Sequence, residues 1–258
     1  MANKLAYSTA VLVVLALLFT GLAVAQSPSP TETIHQQGLT PTGGSHGNSK
    51  TPAGTLFYGG DGDPTNPSTD GLWANDSSSF GLSGSVYSPF LIPKTSKWNV
   101  TGLFANIEYN PTTPTVDAAA WAIVSVDKSV IPPLATTVCS GVDSTPVLTD
   151  TGRNYFGFYE EFTTAVAVGG CTLRGGSSKA GTEYWESVTV QTGANSVFQL
   201  AYESNVPDTP PPFSIGTPEP TDDSYFYGPQ FGASVFVNAN TQGPFHVFSA
   251  GVVGTASK

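Results

Sequence analysis

The chain is poor in positive charge. Its 258 residues hold 9 Lys and Arg against 19 Asp and Glu, a formal charge of −10 at pH 7. Nucleic acid and anionic lipid are bound through clustered Lys and Arg, and here the basic residues are few and scattered. Neither partner fits. Histidine is scarcer still. His35 and His46 fall in a polar leader, and His246 in GPFHVF alternates with Phe245 and Val247 as a strand residue does. A serine triad therefore lacks a base near any nucleophile. No H-E-x-x-H helix occurs, and GGSSKAG lacks the apolar strand that must precede a nucleophile elbow. Only two cysteines are present, Cys139 and Cys171, too far apart for a CxxC redox pair or a cysteine-bound metal. In an exported chain such a pair reads as one disulfide.

What is there begins with a signal peptide at residues 1–25. Lys4 supplies the positive start, Ala10 to Val24 the apolar core, and Ala23-Val24-Ala25 a small-x-small cleavage site before Gln26. The unbroken apolar run from Ala10 to Phe19 is short for a membrane span. The expectation is a secreted, extracellular protein, free or associated with the cell surface, with no membrane segment after cleavage. Residues 26–52 are rich in Pro, Gly, Ser and Thr and bury too little apolar surface to offset the entropy of ordering, so they read as a flexible arm.

From residue 53 to 258 the texture is short apolar runs broken by Gly, Pro, Asn and Asp. SGSVYSPFLI, KWNVTGLFANIEYN, AAAWAIVSV and TEYWESVTVQT carry period-two alternation; Trp98, Val100, Gly102 and Phe104 share one register, and so do Tyr184, Glu186 and Val188. No useful stretch keeps a helical period. The pattern predicts an all-β, antiparallel, jelly-roll-like β-sandwich. Residues 205–223 hold too many prolines for a central strand and read as a surface excursion. Residues 224–258 either complete the same sandwich or form a separate hairpin module.

Taken together, YGGDGDPTNPSTDGLWAN, VYSPFLIPKTSKWNVTGLFAN, AAWAIVSV and AGTEYWESVTV resemble a group of exported bacterial β-sandwich domains, also found in proteins with C-terminal sorting anchors. The resemblance covers about residues 56–204. It implies core and turn roles for Phe90, Trp98, Val100, Gly102, Phe104, Trp121, Ile123, Gly181, Tyr184 and Trp185, and no assigned activity. The ending HVFSAGVVGTASK departs from the anchored relatives, which implies a released protein. Asn75 and Asn99 fit the N-glycosylation pattern, without meaning in the bacterial source that the resemblance implies.

Three sets of side chains carry the candidate chemistry. Asp61, Asp63, Asn66 and Asp70 offer oxygen ligands in one turn-rich loop, which suits calcium of a non-EF-hand kind; Asp63-Pro64 and Asn66-Pro67 also serve as plain turn initiators. Trp73, in polar surroundings, and the pair Tyr225 and Tyr227 offer aromatic platforms for an extracellular polysaccharide. Glu160, Glu161, Glu183 and Glu186 are the carboxylates a glycoside hydrolase or lyase would need. The Gly-, Ser- and Thr-rich β-domain with its flexible arm reads as a non-catalytic extracellular structural or matrix subunit that polymerises with its own copies by edge pairing or by donating its arm to a neighbour's sheet, with a carbohydrate-binding module, then a glycoside hydrolase or lyase, as the alternatives.

Overall fold

The computed structural model describes residues 35–37, 51–60, 71–77, 83–109, 115–155, 159–192, 200–204, 215–216, 224–239 and 247–258. Among them regular structure is almost entirely β, with one 3-10 turn at Pro229–Phe231. The strands form two antiparallel sheets packed face to face, the sandwich that the alternation predicts.

The first sheet is organised on β5 (Lys97–Tyr109). One side of β5 pairs along its length with β9 (Tyr159–Arg174), and β8 (Val147–Tyr155) pairs beyond β9. The other side is shared. Residues 97–105 pair with β15 (Ala250–Ser257), while Ile107 and Glu108 pair with β11 (Leu200–Ser204). β2 (Thr55–Tyr58) lies outside β15; β3 (Gly71–Ala74) and β14 (Val247–Phe248) flank β11. A three-residue strand, β1 (His35–Gln37), pairs with β3, so part of the 26–52 segment lies along this sheet.

The second sheet runs in single file: β13 (Ala233–Asn238), β12 (Tyr225–Gly228), β4 (Ser85–Ile92), β10 (Thr182–Thr192), β6 (Val116–Asp127) and β7 (Leu134–Asp143). The chain crosses repeatedly between sheets, from β3 to β4, β4 to β5 and β5 to β6, as Greek-key sandwiches do. Residues 224–239 and 247–258 contribute strands to both sheets.

Alternation places the core. Val86, Phe90 and Ile92 of β4 and Val188 and Val190 of β10 face Trp98, Val100, Leu103 and Ile107 of β5 and Val166 and Leu173 of β9. Phe90 is the hub, stacked on Trp98 (ring centroids 5.8 Å apart, 8° between planes) and 5.6 Å from Phe57. Burying side chains of this size is worth about 1.5–3 kcal/mol each. Bulges interrupt the uniform period of two in several strands, and the one in β5 bears most on the core. A bulge between Val100 and Gly102 shifts the register of β5, so Trp98 and Val100 face inward before it and Leu103, Ala105, Ile107 and Tyr109 after it. Phe104 therefore points away from the core, onto Tyr58 (5.4 Å). Gly251 makes room for that ring, since a Cβ there would lie 2.5 Å from Phe104 Cζ.

The Cys139–Cys171 disulfide is formed. It joins β7 of one sheet to β9 of the other, so it staples the two layers.

Candidate functional site

The outward face of the second sheet has an aromatic half and a hydroxyl half. In the aromatic half Trp185 stacks on Tyr225, with centroids 3.9 Å apart and planes at 16°. Phe236 stands edge-on to Trp185 (5.4 Å, 79°) and to Tyr87 (5.0 Å, 89°). Complete burial of Trp185 is tolerable because its Nε1 donates to Glu183 Oε1 at 2.6 Å. The same oxygen receives Lys128 Nζ at 2.8 Å, which leaves the carboxylate charge compensated.

The hydroxyl half is a cleft of about 260 Å³. Period-two alternation builds its floor: Ser85 and Tyr87 project from β4, and Ser187, Thr189 and Gln191 from β10, while Ala120, Trp121 and Ala122 of β6 give it an apolar side. Thr189 Oγ1 donates to Ser85 Oγ at 2.9 Å, and the Ser187 and Thr189 hydroxyls lie 3.4 Å apart. Ser77 and Ser83 form the end wall. They are held there by the buried Asp76, which accepts from Thr192 Oγ1 at 2.6 Å and Thr192 N at 3.3 Å. Asn75 Nδ2 adds a bond to the Val188 carbonyl at 2.8 Å. That bond and its burial leave the Asn75 side chain no room for a glycan. Burial, and secondly the neighbouring Tyr227, push the Tyr87 hydroxyl above the usual phenol range, so it keeps its proton and can donate. Among the described residues no Asp, Glu, Lys, Arg or His lines this cleft.

The aromatic platforms expected from sequence are placed unequally. Trp73 is no platform: it is fully buried and its ring packs 5.3 Å from Phe226. The cause is that residues 71–74 are a strand flanked by β1 and β11, which turns the indole into the core. Tyr225 is likewise covered, being only 4% exposed beneath Trp185. Tyr227 is 38% exposed and sits opposite Ser85 on the neighbouring strand, beside the cleft. Asp61, Asp63, Asn66 and Asp70 lie outside the described residues, as does the signal peptide at 1–25.

The four carboxylates proposed for hydrolysis do not share a groove. Glu183 points outward to Lys128, while Glu186 shares the inward register of Val188 and Val190 and is fully buried. Desolvation holds the Glu186 carboxyl well above the usual carboxylate range. Among the described residues neither its oxygens nor the hydroxyl of Ser88, its partner across the β4–β10 ladder, has a hydrogen-bond partner. Glu161 is buried on the outward face of the first sheet, and Glu160 follows the opposite alternation. Glu161 stands directly opposite Glu108, an equally buried residue that the sequence reading passed over. Its signal was the alternation Phe104, Asn106, Glu108, which puts it in line with the buried cluster of Asn106, Tyr58, Ser249 and Thr163. Among the described residues no helix is long and apolar enough to cross a membrane.

The chain matches no known family model, no curated protein and no solved structure.

Proposed function

We propose that the protein is a secreted, non-catalytic structural subunit that associates with further copies of itself through the open edge of its second sheet. One observation carries this reading. Among the described residues β7 ends the strand order and pairs only with β6, and it runs ten residues without a proline or a lysine. Those are two of the devices by which soluble proteins blunt an exposed edge; of the others, β7 carries a bulge at Val138 in its ladder with β6. Its sequence, LATTVCSGVD, holds one charge, and Leu134, Val138 and Val142 are exposed along it. A second copy suits such an edge because a strand whose single charge is the terminal Asp143 offers a charged partner little to pair with. β13 ends the same sheet on its other side, so β7 of one copy added to β13 of the next continues a single sheet. Contacts of that head-to-tail kind propagate into filaments unless their rotation closes a ring.

Sizing and negative-stain microscopy of the secreted protein test this. Wild type is expected to give large species or filaments, and the double variant Val138→Glu, Val142→Glu a monomer of unchanged melting temperature. A wild type that stays monomeric at high concentration, or a variant that polymerises equally, sinks the reading. The same profile in EDTA tests whether calcium, the ion that the Asp61–Asp70 sequence suits, takes part.

A further inference from the structure

We infer that the cleft between β4 and β10 binds a single unit of a neutral polysaccharide, with Tyr227 as the stacking surface at its edge. This inference is independent of edge assembly, since it rests on a different part of the same sheet.

The lining selects the ligand class. Among the described residues the cleft has no ionisable side chain except the protonated phenol of Tyr87, so these give an anion or a cation nothing to pair with, and burying either there would be costly. Hydroxyl and amide groups, which both donate and accept, instead match a ligand that is itself polyhydroxylated. Several are unused within the protein. Ser85 Oγ accepts from Thr189, but its own proton has no acceptor among the described residues. The Tyr87 hydroxyl and the Gln191 amide have no hydrogen-bond partner there either. Asp76 and Asn75 brace the end wall, so the site is built before any ligand arrives.

Size and shape narrow it further. About 260 Å³ lies just below the 300–1,000 Å³ usual for small-molecule pockets. The cleft opens onto the sheet surface, so one ring can enter while the polymer continues past it. Aromatic rings pack against the C–H faces of such rings while leaving their hydroxyls in water. Tyr227 is placed to do so: it is exposed, projects from the strand position opposite Ser85, and is steadied by Phe236 at 5.6 Å. The β7 edge lies two strands from β10 and the β13 edge two strands from β4, so copies joined edge to edge leave the cleft open.

Native affinity electrophoresis gives the test, with laminarin, xyloglucan or galactomannan cast in the gel and polygalacturonate as an acidic comparison. The expected result is retardation by at least one neutral polymer and none by polygalacturonate. Tyr227→Ala should weaken that retardation at least tenfold and Gln191→Ala about threefold, both with unchanged melting temperature. Val138→Glu, Val142→Glu should bind as wild type does, which separates this site from assembly. Migration unaffected by every neutral polymer overturns the inference. So does retardation that survives Tyr227→Ala, or equal retardation by polygalacturonate.

Discussion

At the scale of single residues, Glu186 is the least expected placement. A carboxyl between Val188 and the core sheet opposite costs several kcal/mol if ionised, so it is held protonated instead. The consequence for stability has a definite sign. Above about pH 4.5, the ordinary value, the unfolded chain releases this proton while the folded chain keeps it. Stability therefore falls as pH rises, by up to about 1.4 kcal/mol per unit for one proton. Asp127 and Asp143 act oppositely. Hydrogen bonds from Ser129, and from the Ala167 and Thr145 amides, lower their values, so the stability they supply is lost as pH falls through the acid range. Glu186→Gln should remove the high-pH slope. In urea titrations at pH 4, 6 and 8, the variant should gain on wild type at each step upward. Parallel curves would show that the carboxyl is not desolvated.

At the scale of elements, the strands were legible because alternation is a local property; the faces were legible only in part. β4 and β10 keep a strict period of two, and their inward sets follow from sequence, whereas β6 carries a bulge at Asp117 that puts both Val116 and Ala119 against the core. β5 does not, because its bulge at Val100–Gly102 depends on pairing with β9, some sixty residues on, and one extra residue reverses every later side chain. Trp73 illustrates the same limit. Turn residues precede it, but its burial is decided by β11, more than a hundred residues away. Tyr225 and Tyr227 share a face as their spacing requires, and only the position of Trp185 covers one and spares the other. Glu186 was the readable exception, standing in register with Val188.

The disulfide belongs to this scale too, because β7 has one sheet neighbour and a single covalent tie to the other layer. Closing a separation of 32 residues is worth about 3–4 kcal/mol in the chain-entropy account. Replacing both Cys139 and Cys171 by Ser should lower stability by about that amount. The loss should be local first: hydrogen exchange should quicken in Leu134–Asp143 before β5 or β10. Uniform loss of protection would mean that the bond stabilises the whole sandwich and not this edge.

At the scale of the whole molecule, two tendencies oppose each other. A formal charge of −10 keeps copies apart, while the nearly neutral edge of β7 offers hydrogen bonds and apolar contact once they meet. The repulsion is long-ranged and screened by salt, over about 10 Å at 0.1 M and about 3 Å at 1 M, whereas strand pairing is short-ranged and hardly screened. Raising salt from 0.1 to 1 M should therefore shift the sizing profile toward larger species and lower the concentration at which they form. The Val138→Glu, Val142→Glu variant should stay monomeric in both, because charge buried against the neighbouring strand is costly even where the bulk field is screened. Assemblies that dissolve in 1 M salt would instead be held by ion pairs, and with so few basic residues those pairs would have to involve the scattered Lys and Arg side chains rather than β7. The direction of the salt response thus distinguishes an edge-built layer from an ionic aggregate without a structure of the assembly.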